Sequence, residues 1–233
     1  MSRTKRLWSL SLIALLTSIV NASRTMQQHI CTEDSFKPNY ISQLTALIRW
    51  REFPVRVYFM RDENYTPKRQ QLAVEGFQQW VQATDKKVQF VLVEEEAEGQ
   101  LLVRFDPASK AGRTDCTFYP ERREIVRAEM VIGVQGDSPI DIQNVAVHEF
   151  GHALGIVGHS TRQDDVMYPR YTVGVQAHIS ANDLNVIKTA YCELFEGGQV
   201  LASLERTRGL PSSRDEPRKV RIVCEKPRSV SDK

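Results

Sequence analysis

The sequence predicts an α+β domain in which helices pack on a mixed sheet. Strand-like and helix-like segments alternate along the chain, and 41% of the residues are hydrophobic and 26% are charged. This is an ordinary globular composition, which argues against a collagen-like rod, a low-complexity chain and a multi-span membrane protein. About 211 residues remain after a predicted N-terminal signal, enough for one domain with a substantial core.

The first 22 residues have the organisation of a secretory signal peptide. Arg3, Lys5 and Arg6 precede an apolar run over 7–20, and Ala22 provides the small residue needed at a cleavage site. The run contains polar residues and is shorter than the roughly 18–20 apolar residues of a spanning helix. Cleavage after Ala22 is therefore favoured over an uncleaved membrane anchor. We expect an exported protein, secreted or periplasmic, without stable membrane insertion.

The charge of the chain gives no reason to expect a nucleic-acid partner. The formal net charge is +2, and three basic residues belong to the signal peptide. Without them the chain is close to neutral, whereas nucleic-acid-binding domains have a clear basic excess.

The remaining elements follow from hydrophobic period and capping residues. Val55, Val57 and Phe59 alternate as in a strand, and Thr66-Pro67 is a typical helix start. Strands are also predicted over 88–93, 101–105 and 125–134, an irregular segment over 106–124, a helix from Pro139 that ends at Gly155, and a last helix after the Ser180-x-x-Asp183 capping signal.

The four cysteines are widely spaced and even in number. In an oxidising compartment Cys31, Cys116, Cys192 and Cys224 allow two disulfides in three connectivities. We favour Cys192–Cys224, which would attach the polar C-terminal segment to the last helix. The alternative is that some of the four are free or buried thiols.

Residues 148–152 form a His-Glu-x-x-His motif on a predicted helix. His148 and His152 are four residues apart, so both imidazoles project from one face and can occupy adjacent corners of a tetrahedral zinc site. Glu149 lies beside them without being a ligand. Because zinc lowers the pKa of bound water to about 7, Glu149 can act as general base on that water and then protonate the leaving amine.

The continuation of the motif offers a candidate for a third ligand. Gly155 can end the helix by adopting a positive φ, and His159 follows in the loop. An apolar turn around Met167 comes next.

With these residues the chain resembles the metzincin zinc endopeptidases, in their matrixin-like branch. The sequence segments shared with the family are His-Glu-Phe-Gly-His-Ala-Leu-Gly, then Gly-His-Ser, then Met-Tyr-Pro-x-Tyr. The resemblance implies a twisted, mostly parallel mixed sheet, an active-site helix, a methionine turn and a C-terminal helix. It also implies that His148, His152 and His159 are zinc ligands, that Glu149 is the general base and that Met167 is the turn methionine.

The sequence departs from the family pattern in three places. Three residues rather than two separate Gly155 from His159, as in bacterial-type members, and Gly158 can absorb the extra one. The Pro-Arg-Cys-Gly latency segment is absent, and so is the His-Gly-Asp loop of a second zinc. We expect one catalytic zinc ion; calcium is possible but no motif supports it.

The predicted organisation is a signal peptide over 1–22, a leader segment over 23–50, a zinc peptidase domain over 51–196 and a polar extension over 197–233. The first hypothesis is a monomeric, exported endopeptidase, with an extended peptide substrate added to the sheet edge near 117–119. The second is a non-catalytic zinc-bound binding or structural module on the same fold. Three ligands with an open position would favour the enzyme, and a fourth protein ligand would favour the module.

Overall fold

The computed structural model describes residues 31–195 and 216–229. The predicted signal peptide, its cleavage site after Ala22 and most of the predicted polar extension lie outside the described residues. Among those that are described, no helix has both the length and the apolar character required to span a bilayer.

Nine strands and three α-helices follow one another along the described chain. In order they are β1 (Ala46–Leu47), β2 (Arg49–Trp50), β3 (Val55–Phe59), α1 (Pro67–Ala83), β4 (Phe90–Leu92), β5 (Leu101–Asp106), β6 (Arg113–Tyr119), β7 (Glu124–Gly133), α2 (Pro139–Ala153), β8 (Ile156–Val157), α3 (Ala181–Ala190) and β9 (Arg218–Val223). The order confirms the predicted α+β class.

The main sheet is mixed and mostly parallel, as expected. Its strand order is β4-β3-β5-β7-β6-β9, and β2 also pairs with β7. The pairs β4–β3, β3–β5 and β5–β7 are parallel. β6 pairs antiparallel with both β7 and β9. β1 and β8 form a separate antiparallel pair.

Helices α1 and α2 pack against each other through aromatic side chains. Phe77 of α1 stacks on Phe150 of α2 with ring centroids 4.4 Å apart, and the indole N–H of Trp80 donates to the Val147 carbonyl at 2.8 Å. The predicted cap is present, since the Thr66 side chain accepts from the Arg69 amide. This packing fixes the orientation of α2, the helix that contains His-Glu-x-x-His.

The segment 106–124, predicted to be irregular, contains strand β6. Its residues are mostly polar, and the local sequence does not alternate as a strand of one buried face would. β6 forms because neighbours on both sides pair with it, β7 over seven residue pairs and β9 over six. β7 follows β6 after a short turn, whereas β9 lies far along the chain, and pairing with so distant a strand leaves no local signal in the sequence.

The described part of the predicted leader packs into the domain. Tyr40, Ile48 and Trp50 are buried, β1 pairs with β8, and β2 pairs with β7. The predicted boundary at residue 51 therefore falls within a continuous core, and the division of the chain into four parts remains a prediction.

The favoured cysteine pairing is wrong. Cys192 is bonded to Cys31, and Cys116 and Cys224 are free thiols. The Cα atoms of Cys31 and Cys192 are 5.7 Å apart, within the range that a disulfide requires. The bond attaches the N-terminal segment, not the C-terminal one, to the end of α3.

Candidate metal centre

Helix α2 presents His148 and His152 on one face, one turn apart. Their Nε2 atoms are 3.1 Å apart. His148 Nδ1 lies 2.7 Å from the Val166 carbonyl and His152 Nδ1 lies 2.7 Å from the Ile156 carbonyl. A carbonyl can only accept, so each Nδ1 carries the proton and each Nε2 keeps a lone pair for a metal.

His159 completes a cluster of three imidazoles from the loop after α2. Its ring centroid lies 5.3 Å from that of His148 and 4.9 Å from that of His152. Gly155 and Gly158 have φ values of +114° and +129°, which side-chain-bearing residues rarely adopt. The lengthened loop therefore still brings His159 to the other two histidines.

A fourth donor, the thiol of Cys224, lies at the same point. Its Sγ is 3.7 Å from His152 Nε2 and 3.6 Å from His159 Nε2, and all four donor atoms lie within 4.8 Å of one another. A tetrahedral zinc ion with ordinary Zn–N and Zn–S bonds requires N···N and N···S distances of about 3.3 and 3.6 Å. The four side chains fit a zinc ion.

Burial keeps the three imidazoles in the neutral form that binds metals. It lowers the pKa of His148 to about 3, and it lowers the pKa values of His152 and His159 as well. Neutral imidazole and thiolate are the ligands that zinc prefers in proteins.

Glu149 is fully buried beside the cluster and both of its carboxylate oxygens accept hydrogen bonds. Thr114 of β6 donates to Oε2 at 2.6 Å and the Cys224 thiol donates to Oε1 at 2.8 Å. Burial raises the pKa of Glu149 to about 7, and the two hydrogen bonds oppose that rise. A carboxyl group with this pKa can exchange protons near neutral pH.

The turn around Met167 is fixed from beneath the histidines by Asp183. The Asp183 carboxylate accepts from the amides of Val166 and Met167 at 2.8 and 3.3 Å. It also forms the predicted capping box with Ser180, and it accepts from the Tyr40 hydroxyl at 2.8 Å. One buried carboxylate thus joins the methionine turn, helix α3 and the N-terminal segment.

The model of the matrixin family of zinc metalloendopeptidases matches residues 50–192, more than half of the chain. The chain belongs to this family. The expected metzincin resemblance is confirmed, and the matched region contains the three histidines, Glu149 and the methionine turn.

Curated relatives of this matrixin include animal enzymes. Interstitial collagenase of Bos taurus is 29% identical over 150 residues, which are 56% of this chain and 31% of the relative. Macrophage metalloelastase of Rattus norvegicus is 29% identical over 172 residues, 61% of this chain and 33% of the relative. The chain thus spans about a third of the length of these relatives.

The solved structure of myroilysin is similar to this matrixin. The similarity covers 62% of this chain and 97% of the myroilysin chain. The TM-score is 0.42 and the sequence identity is 17%.

Three residues of this matrixin's centre escaped the sequence prediction. Thr114 lies in the segment expected to be irregular, Tyr40 lies in the predicted leader, and the favoured pairing places Cys224 in a disulfide. Only Cys224 had a usable signal, since it directly follows 220–223, a short run rich in β-branched residues that favours a strand. The structure brings the predicted residues His148, Glu149, His152 and His159 together, and it buries Met167 against Gly151 of α2.

Proposed function

We propose that this matrixin is an exported zinc-dependent endopeptidase. In this proposal His148, His152 and His159 hold the zinc ion, Glu149 is the general base and Met167 forms the floor of the site. The observation that carries it is the position of Glu149, a buried carboxylate adjacent in sequence to one ligand and in hydrogen-bond contact with the group at the fourth corner.

The reaction requires a base that first accepts a proton from water and then donates the same proton to the leaving amine. A zinc ion held by His148, His152 and His159 would polarise the substrate carbonyl and the attacking water. Glu149 takes a proton from that water and returns it to the nitrogen of the leaving amine. Thr114 holds Oε2, so that Oε1 faces the place where the Cys224 sulfur now lies.

The substrate of this reaction is an extended stretch of polypeptide. The sequence predicted peptide binding near 117–119 of β6, whose outer side is paired with β9 in this structure, so a peptide could pair with β6 there once β9 has moved away. A peptide that extends the sheet by pairing with β6 would pass directly over the histidines.

Export rests on the predicted signal peptide and on the Cys31–Cys192 disulfide. Disulfides form and persist in the periplasm and outside the cell, whereas cytosolic thiols are kept reduced. We propose that the mature chain acts there as a monomer.

One observation favours the non-catalytic zinc-bound module. Cys224 gives the cluster a fourth protein donor, and a closed set of four ligands is typical of structural zinc sites. The buried Glu149 argues against this alternative. A structural zinc site does not need a buried carboxylate, which requires hydrogen-bond donors from its surroundings.

The experiment that decides between the two is cleavage of a denatured protein mixture by the zinc-loaded chain, read by mass spectrometry. We expect new peptide termini that disappear with a zinc chelator. They should also disappear in Glu149→Ala, at unchanged zinc content and with a loss of at least about 100-fold in rate. Equal cleavage by Glu149→Ala would exclude the proposed base.

A further inference from the structure

The C-terminal segment, residues 216–229, lies along the edge of the sheet where a substrate would bind. Strand β9 pairs antiparallel with β6, from Arg113 opposite Val223 to Phe118 opposite Arg218. The outer edge of β6, the strand expected to receive a peptide, is therefore already paired with the chain's own C-terminal segment.

Beyond Cys224 the segment bonds to the opposite wall of the cleft. The Cys224 amide donates to the Gly112 carbonyl at 3.3 Å, and the Glu225 amide then donates to the Pro169 carbonyl at 3.1 Å. Farther on, Arg228 exchanges two backbone hydrogen bonds, 3.0 Å each, with Tyr171 and Val173. The segment crosses the whole cleft in extended form, bonded on both sides, as a peptide substrate would be.

Side chains of the segment match the charges of the domain. Arg221 pairs with the buried Asp115 through two contacts of 2.8 and 3.2 Å. Lys219 reaches Glu129 at 3.1 Å, and Glu225 pairs with Arg170. Ile222 is buried in the core. These contacts specify one register, and that register sets the position of Cys224.

With the segment in place there is no room for a second peptide. The cavity beside His148 and Glu149 has a volume of about 10 Å³ and is itself lined by Cys224 and Glu225. This is close to the smallest volume that holds one water molecule.

We propose that the C-terminal segment is an intrinsic inhibitor of this matrixin, with Cys224 as the fourth ligand of the metal and the flanking residues in the substrate cleft. The inference rests on the proposed endopeptidase function. It explains why four donors and a buried general base occur together: the fourth donor belongs to a segment that can leave. The three histidines and Glu149 belong to the continuous domain, whereas Cys224 is attached mainly through one edge strand, four of whose six side chains are exposed.

The metal-ligand part is tested in the full-length chain loaded with Co²⁺. We expect a thiolate-to-cobalt absorption band in the near ultraviolet. The band should be absent from Cys224→Ser and present in the control Val91→Ser, which alters an exposed side chain of the remote strand β4. Bound cobalt without that band would overturn the assignment of Cys224.

Thiol labelling tests the docked position independently of activity. In the zinc-loaded chain Cys224 should react at least tenfold more slowly with a thiol reagent than after chelation, as located by peptide mapping. Ile222→Asp, which places a charge at the buried position of the segment, should accelerate labelling of the zinc-loaded chain. Equal labelling rates in all three samples would show that the segment is not docked.

Cleavage rates separate this inference from the proposed function. We expect Cys224→Ser and Ile222→Asp to cleave peptides at least tenfold faster than the wild-type chain. Cleavage by the wild-type chain at the same rate as by both variants overturns the inhibitory role and leaves the endopeptidase intact. A cobalt–thiolate band together with no cleavage by any variant overturns the proposed function and supports the structural module.

Discussion

Glu149 has no exposed surface, yet each of its carboxylate oxygens has a donor. The two donors belong to different parts of the chain. Cys224 belongs to a segment that can leave, whereas Thr114 belongs to β6, which also pairs with β7, and remains when the segment departs. Thr114 is therefore the group that keeps the carboxylate oriented in the open site.

Replacing Thr114 with Val should lower the rate of peptide cleavage by about tenfold to a hundredfold, because a hydrogen bond to a charged group is worth about 1.5–3 kcal/mol. The substitution keeps the shape of the side chain, so zinc content should not change. The measurement is kcat/KM together with the bound metal per chain. Thr189→Val is the matched control, since Thr189 is equally buried but donates to a backbone carbonyl of α3.

At the scale of elements, the methionine turn and α3 are joined by Asp183, and Tyr40 brings the N-terminal segment to the same carboxylate. The segment predicted to be a leader therefore contacts, through Tyr40, the carboxylate that holds the methionine turn. Its described part contributes two short strands and buried aromatic residues to the domain.

Tyr40→Phe should lower the free energy of unfolding by about 1.5–3 kcal/mol, because it removes a buried hydrogen bond to a carboxylate. Denaturant unfolding of the zinc-loaded chain measures the change. Tyr58→Phe, a half-buried tyrosine of β3 that is not among the donors to Asp183, should have a much smaller effect. If Tyr40→Phe left the free energy of unfolding unchanged, residues near 40 would not stabilise the site.

Docking of β9 should weaken in acid through Asp115. Burial tends to raise the pKa of this carboxyl, but the hydrogen bonds and charge of Arg221, with Lys219 and Arg113, outweigh it and lower the pKa. A carboxyl group whose pKa is lowered in the docked state stabilises that state above its ordinary pKa near 4 and stops doing so as the pH falls through the lowered value.

Hydrogen exchange of the peptides that contain β6 and β9 can follow this effect in metal-free protein at pH 6 and pH 3, after correction for intrinsic exchange rates. We expect protection in the wild-type chain to be weaker at pH 3 than at pH 6, because pH 3 lies below the ordinary pKa of an aspartate. In Asp115→Asn, protection should already be reduced at pH 6 and should change little further. The same acid response in both proteins would assign the effect to other groups.

At the scale of the whole molecule, one disulfide closes the domain. Cys31 and Cys192 are 161 residues apart in sequence, so the bond joins the first described residue to the end of α3. Every strand and helix of the domain except β9 lies between them, and Cys224 is left as a thiol.

Replacing both Cys31 and Cys192 with Ser should lower the free energy of unfolding by about 5 kcal/mol in the loop-entropy model. Urea unfolding compared between this double variant and the wild-type chain measures the loss. The thiol of Cys224 should keep its reactivity in the folded double variant, because it takes no part in the bond. Faster labelling of Cys224 in the folded double variant would contradict the expectation that the disulfide does not affect this thiol.

The helices and the histidine motif were predictable because their signals are local. The caps at Thr66, Ser138 and Ser180 lie within three residues of the amides they accept from, and helical spacing alone puts His148 and His152 on one face. His159 was also predictable, since a short loop with two glycines leaves few places for it.

What the sequence determined by itself was therefore the family and the α+β class. The family depends on a motif that runs from His148 to Met167, and the class depends on the local hydrophobic period of each element. Only the tertiary structure decided that β6 is a strand, that Cys31 and not Cys224 bonds Cys192, and that Cys224 reaches the histidines. The disulfide and the position of Cys224 depend on partners far apart along the chain, and β6 depends on the distant β9 as well as on its neighbour β7. Strand pairing and disulfide formation join whichever segments the folded core brings within reach.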